Sequence, residues 1–244
     1  MANIHLFLQG KGGVGKSFCC AMLAQFLMDA RDIHPLCFDT DPVNATFAAY
    51  PAFNVSRIEL MEGDAINTRK FDAMMEQLCA LGEGDSAIID NGASSFIPFS
   101  RYLLAGGVPA MLQEMGHNLF INTVITGGDA MEDTMLGFAT LAEKFPDSSR
   151  LIVWLNPYFG EVVYQGKTFE EFPLYAEHKS KIDAIVRLPE LQAETFGFDL
   201  SAMLKDRKTF QDAVYGGEYT LMTRQRLKIT RDKIYGQLSI IPTL

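Results

Sequence analysis

The chain has 244 residues, of which 48% are hydrophobic and 21% charged, a composition typical of a folded globular protein and not of a disordered one. A chain of this length can bury a sizeable core, and we expect a single domain over residues 1–244. Lysine and arginine total 21 against 30 acidic residues, so the net charge of −9 excludes broad binding of nucleic acid or anionic lipid by the surface as a whole.

Short β-type runs alternate with helical stretches along the chain. Helical spacing of apolar residues occurs between the runs, as at residues 17–29 and 71–81. Near-continuous apolar strands separated by helices predict an α/β fold, a mostly parallel sheet flanked by helices on both faces. The predicted strands cover residues 4–8, 35–38, 87–89, 119–125, 151–155 and 184–188.

No segment of the sequence has the pattern of a secretory signal or of a membrane-spanning helix. The first residues, MANIHLFLQ, lack a basic region before the apolar run and predict a strand instead of a secretory signal. The most apolar later segment, residues 96–115, contains Arg101, Gln113 and Glu114 and is too polar to cross a bilayer. We therefore expect a cytoplasmic protein without a membrane span.

The first predicted strand runs directly into GKGGVGKS, residues 10–17, and a helical pattern follows. This sequence fits the phosphate-loop pattern G-x-x-x-x-G-K-[ST], and the strand before it and helix after it argue against a chance glycine-rich turn. The glycines let backbone N–H groups face an anion, and the helix N-terminus adds partial positive charge. Lys16 would reach the β- and γ-phosphates, and Ser17 would ligate Mg²⁺. The predicted ATP-binding residues here are Gly10, Lys11, Gly12, Gly13, Val14, Gly15, Lys16, Ser17 and Phe18.

Carboxylates follow two of the predicted strands. Asp39 and Asp41 end the second strand, and Asp90 ends the third. Open α/β sheets bind ligands at the carboxyl ends of their strands, so one acid would hold Mg²⁺ and another would orient the attacking water. A single aspartate after a strand is more often a helix cap or turn residue, but three beside a phosphate loop favour the functional interpretation.

Four segments together resemble one known family, the deviant-Walker-A ATPases, which include plasmid-partition ParA, division-site MinD and nitrogenase iron protein. The segments are GKGGVGKS, CFDTDPVNAT at residues 37–46, AIIDNGAS at 87–94 and VRLPELQAETFGFDL at 186–200, so the resemblance covers most of the chain. Further stretches, among them VPAMLQEMGH and MTRQRLKI, are similar to a conjugal-transfer protein of broad-host-range plasmids.

The resemblance implies an ATP-dependent homodimer in which catalysis involves Lys11, Lys16 and Asp41. Lys11 matches the family's signature lysine, which acts across the dimer, and Asp41 matches the aspartate that positions the hydrolytic water. Asp90 matches the Walker-B acid, with Asp39 supporting the metal shell that also includes Ser17.

Two further residues come from the same resemblance and concern the nucleobase. Asn156 matches an asparagine that hydrogen-bonds the adenine, and the loop after Pro189 would close over the base. The alternative for Asn156 is a turn residue that ends a strand before a proline.

Two loops depart from the family pattern. The first switch loop, Asp41-Pro42-Val43-Asn44, is one residue shorter than in many members. The second, residues 91–94, lacks the usual prolines, which predicts a looser loop and slow or partner-dependent hydrolysis.

Residues 223–233, TRQRLKITRDK, are the one candidate nucleic-acid patch on an acidic chain. Leu227, Ile234 and Leu238 fall on a helical stripe, so an amphipathic helix with a solvated basic face is the favoured interpretation. Contact with DNA, or with an acidic partner, stays open.

The phosphate loop and the carboxylates predict a Mg²⁺-dependent ATPase, and the resemblance implies that it switches between ATP and ADP states in plasmid conjugal transfer. Its partners would be relaxosome or coupling proteins. Two alternatives remain: a nucleotide-binding adaptor that hydrolyses little, and a P-loop kinase or synthase acting on a small metabolite.

Overall fold

A seven-stranded parallel sheet forms the centre of the computed structural model, which describes all 244 residues. The sheet order is β11-β8-β7-β1-β6-β2-β3, and the pairs β4–β5 and β9–β10 are separate antiparallel hairpins. In chain order the strands are β1 (Asn3–Phe7), β2 (Leu36–Asp39), β3 (Ser56–Arg57), β4 (Met61–Glu62), β5 (Ala65–Ile66), β6 (Ser86–Asp90), β7 (Asn118–Thr126), β8 (Ser149–Asn156), β9 (Val163–Tyr164), β10 (Lys167–Thr168) and β11 (Ile182–Arg187).

Nine α-helices cover the two faces of this sheet. They are α1 (Lys16–Arg31), α2 (Asp72–Cys79), α3 (Phe96–Ala105), α4 (Val108–Glu114), α5 (Met131–Lys144), α6 (Pro173–His178), α7 (Phe198–Lys205), α8 (Phe210–Tyr215) and α9 (Leu221–Ser239). None of them is long and apolar enough to cross a membrane.

Two hydrophobic cores, one on each face, hold the sheet between its helices. Side chains of successive strand residues point to opposite faces, so Ile4 and Leu6 of β1 pack with α2 to α5, whereas Phe7 packs with α1 and α7 to α9. Burial on both faces explains why the strands are apolar almost throughout. The predicted α/β class, a parallel sheet between two helical layers, is confirmed.

All six predicted strands are present, with ends shifted by one or two residues. The sequence did not indicate the two-residue edge strand β3, which pairs with β2, or the two hairpins, because so few and such exposed residues carry no periodic signal. The apolar segment 96–115 forms two helices, separated at Gly106 and Gly107, where Gly107 has φ +63°.

A chain of polar side chains crosses the core beside β1. Trp154 Nε1 donates to Asn122 Oδ1 at 3.0 Å, Asn122 Nδ2 lies 3.4 Å from His5 Nδ1, and the His5 ring stacks on Phe120 at 5.0 Å. His5 is fully buried and its Nε2 has no partner. Burial therefore lowers the pKa of His5 to about 3.

Parallel pairing brings the carboxyl ends of the central strands together. Asp39 of β2 pairs with Asp90 of β6, and Asp90 pairs with Phe7 at the end of β1. Thr126 of β7 pairs with Asn156 at the end of β8. The loops that follow these strands consequently meet at one edge of the sheet.

Candidate phosphate-binding site

The loop between β1 and α1 has the backbone conformation of an anion-binding turn. Gly13 has φ +75° and Gly15 φ +103°, in the left-handed region that glycine adopts without strain. A Cβ at Gly15 would lie 2.9 Å from Asn156 Nδ2, so this position also needs the small residue for space. The helix that starts at Lys16 directs its free N–H groups into the loop.

Lys16 lies under this loop, where a phosphate chain would bind. Its ammonium donates to the Lys11 carbonyl at 3.1 Å, and only 8% of the residue is exposed. Burial lowers the pKa of Lys16, while the negative charges of Asp90 and Asp41 raise it. The carboxylates of Asp90 and Asp41 therefore act on the same ammonium.

Asp90 is buried at the end of β6 with one oxygen unsatisfied. The residue is 1% exposed and its Oδ2 has no hydrogen-bond partner. Burial, helped by the neighbouring Asp39, raises the pKa of Asp90 to about 7, although the Ser17 hydroxyl and Lys16 act in the opposite direction. An orphaned carboxylate oxygen beside a serine hydroxyl is a donor set that suits Mg²⁺, which prefers oxygen ligands.

Asp39 has a different environment although it pairs with Asp90 in the sheet. Its Oδ1 accepts from the Asp41 N–H at 3.0 Å and its Oδ2 from the Ala48 N–H at 2.9 Å, so both oxygens are engaged. Burial raises the pKa of Asp39, and these backbone bonds lower it. Asp39 thus holds the first switch loop in place, and support of a metal shell stays a prediction.

Asp41 orders the same loop with one of its two oxygens. Oδ1 accepts from the N–H groups of Val43 and Asn44 at 2.9 and 3.0 Å, which forms a turn, and Oδ2 accepts no hydrogen bond. A Cβ at Gly92 would lie 2.6 Å from Asp41 Cγ, so the glycine allows the two switch loops to touch.

The second switch loop is held by buried hydrogen bonds instead of prolines. Asn91 Oδ1 accepts from Thr40 Oγ1 at 3.0 Å and from Ser95 Oγ at 2.9 Å, and all three residues are fully buried. The expectation of a loose loop at residues 91–94 is therefore wrong. Side-chain hydrogen bonds to the first switch loop hold it in place, as prolines would in other family members.

Lys11 forms an ion pair within its own chain. Its Nζ lies 2.7 Å from Asp133 Oδ2 in the first turn of α5, and the two side chains are 43% and 58% exposed. Such an exposed pair is worth about 0.2–1 kcal/mol. The lysine is therefore held weakly and remains accessible from solvent.

A buried glutamine, not singled out in the sequence, fixes the start of the loop. Gln9 Nε2 donates to Thr123 Oγ1, to the Val124 carbonyl and to the Thr134 carbonyl at 3.1 to 3.3 Å. It thereby ties the phosphate loop to β7 and to α5, which carries Asp133.

A cavity of about 700 Å³ adjoins the phosphate loop and is lined by Phe18 and by the two predicted nucleobase residues, Asn156 and Pro189. Both ends of the Asn156 amide are already bonded, with Nδ2 donating to the Val14 carbonyl at 2.9 Å and Oδ1 accepting from the Tyr158 N–H at 3.1 Å. Asn156 therefore joins the cavity wall to the phosphate loop, in keeping with the turn alternative, and its contact with adenine stays a prediction.

Exposed aromatic rings, which the sequence analysis missed, form the rim of this cavity. Tyr158 is 77% exposed, Phe159 51% and Phe198 69%. Aromatic rings with free faces can stack on a planar base. No pattern in the sequence marks them, because the turn after β8 and the first residue of α7 meet here only in the folded chain.

The arginines of the basic stretch are engaged inside the molecule. Arg226 pairs with Asp199 at 2.5 Å, Arg224 donates to the Val214 carbonyl, and Arg231 contacts Asp232 and Tyr215. Leu227, Ile234 and Leu238 are buried, which confirms the amphipathic helix. The basic stretch thus serves packing, and direct DNA contact stays a prediction.

The chain is similar to two curated proteins named TraL, both from Escherichia coli. One is 52% identical over 238 residues, covering 98% of each chain, and the other is 51% identical over 244 residues, covering 100% of each. TraL is the conjugal-transfer protein whose stretches this sequence resembles, so the resemblance is confirmed. No protein-family model matches the chain.

Solved structures similar to this chain are more distant. They include the MinC:MinD cell division protein complex of Aquifex aeolicus, with 14% identity, a TM-score of 0.49 and coverage of 96% of both chains. A plasmid partition protein from Borrelia burgdorferi has 14% identity and a TM-score of 0.41, covering 96% of this chain and 100% of that chain.

Proposed function

The chain belongs to the TraL family, and on that premise we propose that it is a Mg²⁺-dependent switch protein that binds and hydrolyses ATP, dimerises on ATP and acts in plasmid conjugal transfer. The conjugal part of the proposal rests on family membership and on the sequence resemblance. The enzymatic part rests on the residues around the phosphate loop.

One observation carries the enzymatic proposal: Asp90 has a buried, unpartnered carboxylate oxygen beside Ser17 and Lys16, directly behind the loop. An orphaned buried oxygen is costly in a fold that needs it only for stability, and a bound cation would satisfy it. Ser17 and Asp90 would hold Mg²⁺, which supplies charge neutralisation on the phosphate oxygens.

The remaining side chains have separate tasks in hydrolysis. Lys16 and the loop N–H groups hold the β- and γ-phosphates and balance their charge. Asp41 accepts a hydrogen bond from the attacking water with its free oxygen and so aligns the water with the γ-phosphate. Thr40, Asn91 and Ser95 keep both switch loops in register with the phosphate loop.

Lys11 links hydrolysis to dimerisation in this proposal. The lysine is exposed and its bond to Asp133 is weak, so a second subunit's phosphate chain can compete for it. Across the dimer it would stabilise charge that develops on the γ-phosphate, in the manner of an arginine finger.

Steady-state ATP turnover of the wild type and Asp41→Ala tests the catalytic assignment. We expect turnover to fall at least tenfold in Asp41→Ala while ATP binding is retained, since positioning a water contributes on the order of 10²-fold or more. ATP binding without turnover in the wild type, even beside the other transfer proteins, would instead identify a nucleotide-binding adaptor.

Light scattering of the wild type and Lys11→Ala tests the switch. We expect an ATP-dependent dimer for the wild type, no dimer with ADP, and a monomer in every condition for Lys11→Ala. A wild type that stays monomeric with ATP would contradict the proposed dimer. ADP formation that depends on an added metabolite would favour the kinase alternative.

A further inference from the structure

A second, larger cavity lies on the other helical face of the sheet and shares no residue with the phosphate site. It is a groove of about 1160 Å³ between α2 on one side and α3 and α4 on the other. Its apolar surface comes from Met75, Cys79, Pro98, Ala105, Val108 and Met111.

The rim of the groove is exposed and partly apolar. Ile97 is 71% exposed and Met111 37%, at the edge formed by α3 and α4. Large apolar side chains that cluster at an open groove usually indicate an interaction site.

Opposite charges stand on the two walls. Asp72 and Glu76 lie one helical turn apart on α2, and Arg101 lies on α3. Tyr102 donates to Asp72 at 2.7 Å, whereas Glu76 and Arg101 form neither an ion pair nor a side-chain hydrogen bond. Two charged side chains are therefore free to meet charges on a partner.

The chemistry of the groove does not suit a small molecule or a membrane. None of its lining residues has an orphaned buried polar atom of the kind that orients a small molecule. Acids on one wall of a chain with net charge −9 oppose anionic lipid and nucleic acid.

We propose that this groove docks an amphipathic helix of a partner protein. The apolar stripe of that helix lies on the groove floor, a lysine or arginine on one flank faces Asp72 and Glu76, and an acidic residue on the other flank faces Arg101. Binding of a helix by its i, i+4 and i+7 anchors is a common recognition mode for grooves of this kind.

The groove also touches the helix that begins after the second switch loop. Phe96, the first residue of α3, packs against the phosphate loop, where a Cβ at Gly10 would lie 3.1 Å from its ring. A helix bound in the groove would therefore contact Ile97, the residue next to Phe96. This contact does not depend on ATP hydrolysis.

Two designed peptides test the docking with the purified full chain. Each is a helix of about 15 residues with a leucine stripe; the first has lysines on one flank and glutamates on the other, and the second has lysines on both. We expect the wild type to prefer the first, and Arg101→Glu to bind it about tenfold more weakly while gaining affinity for the second.

Ala105→Trp and Leu136→Trp provide a matched pair of variants. Both positions are exposed, but only Ala105 lines the groove, so the first variant fills it and the second leaves it open. We expect Ala105→Trp to lose both peptides and Leu136→Trp to bind like the wild type, with unchanged melting temperatures. Equal binding of both peptides by the wild type, no binding of the first, or binding retained in Ala105→Trp would overturn the proposal.

A photoreactive residue at position 97 identifies the occupant in cells that carry the whole plasmid. The expected cross-link is to a segment with leucine-like residues at helical spacing between a basic and an acidic flank, and it should disappear in Ala105→Trp. A cross-link to a second copy of this chain, to a segment without that pattern, or to none would count against a partner helix.

Discussion

Asp39 and Asp90 are paired residues of adjacent strands with opposite hydrogen-bond states. Asp39 uses both oxygens on backbone N–H groups, whereas Asp90 Oδ2 has no partner. The two carboxylates therefore contribute differently to stability, and equivalent amide substitutions separate their roles.

Asp90→Asn is expected to stabilise the nucleotide-free protein and to abolish Mg²⁺-dependent ATP binding. The pKa of Asp90 is raised to about 7 in the fold, so its unfavourable contribution grows as pH rises from about 4, where the unfolded carboxyl ionises, and is complete above 7. The gain should be on the order of 4 kcal/mol at pH 8 and disappear below about pH 4, measured by denaturant unfolding.

Asp39→Asn is the control and should behave in the opposite way. An amide offers one acceptor oxygen where two backbone N–H groups need acceptors, so stability should fall by about 1–3 kcal/mol at neutral pH. Equal effects of the two substitutions would contradict these separate roles.

Asp133→Asn should make the proposed dimer form at lower ATP concentration. The substitution removes the charge that holds Lys11 in its own subunit, a bond worth about 0.2–1 kcal/mol, and the midpoint should shift by a factor of about 1.4 to 5. Light scattering during ATP titration measures it, with Asp129→Asn as control. A midpoint that is unchanged or higher would argue that the ion pair does not restrain Lys11.

At the scale of elements, α9 should depend on its arginines for packing. Arg226 pairs with Asp199, which is 5% exposed, so Arg226→Ala leaves a nearly buried carboxylate without its partner. We expect a loss of about 1–3 kcal/mol in unfolding free energy. Lys228→Ala, at an exposed position of the same helix, should change it by less than about 0.5 kcal/mol.

Helix α5 approaches the phosphate loop so closely that it has no room for a methyl group at Gly137. A Cβ there would lie 2.0 Å from Gln9 Oε1. Gly137→Ala should therefore displace Gln9, destabilise the fold by about 1–3 kcal/mol and weaken ATP binding. Gly236→Ala, in open space on α9, should leave ATP affinity unchanged. Calorimetry of both variants with ATP distinguishes a local effect from general loss of folding.

For the molecule as a whole, buried His5 should make the free energy of unfolding depend on pH in the acidic range. Its pKa is about 3 in the fold and near 6.5 when unfolded, so the unfolded state binds more protons between these values and stability falls as pH drops below 6.5. The loss is about 2 kcal/mol at pH 5. Relative to the wild type, His5→Phe should gain stability in acid, and exposed His34→Gln should show no such trend.

Local patterns predicted the sheet and the phosphate loop because each is encoded within a few consecutive residues. The strand, the glycines and Lys16 are contiguous, and parallel pairing then brings Asp39 and Asp90 beside them. The bond of Lys11 to Asp133 spans 122 positions, and no periodicity indicates it. The hydrogen bonds that hold residues 91–95 could not be predicted either, because their partner Thr40 follows a different strand.

Trp154 is the chain's sole tryptophan, and it is fully buried two residues before Asn156. Its indole N–H donates a hydrogen bond to Asn122 in the core, so all of the tryptophan fluorescence of the folded protein comes from this one buried site. Because β8 continues from Trp154 to Asn156 in the cavity wall, the fluorescence of this single tryptophan reports on the folded state of that strand. Unfolding exposes this indole to water and can therefore be followed by intrinsic fluorescence, without a label and without a substitution.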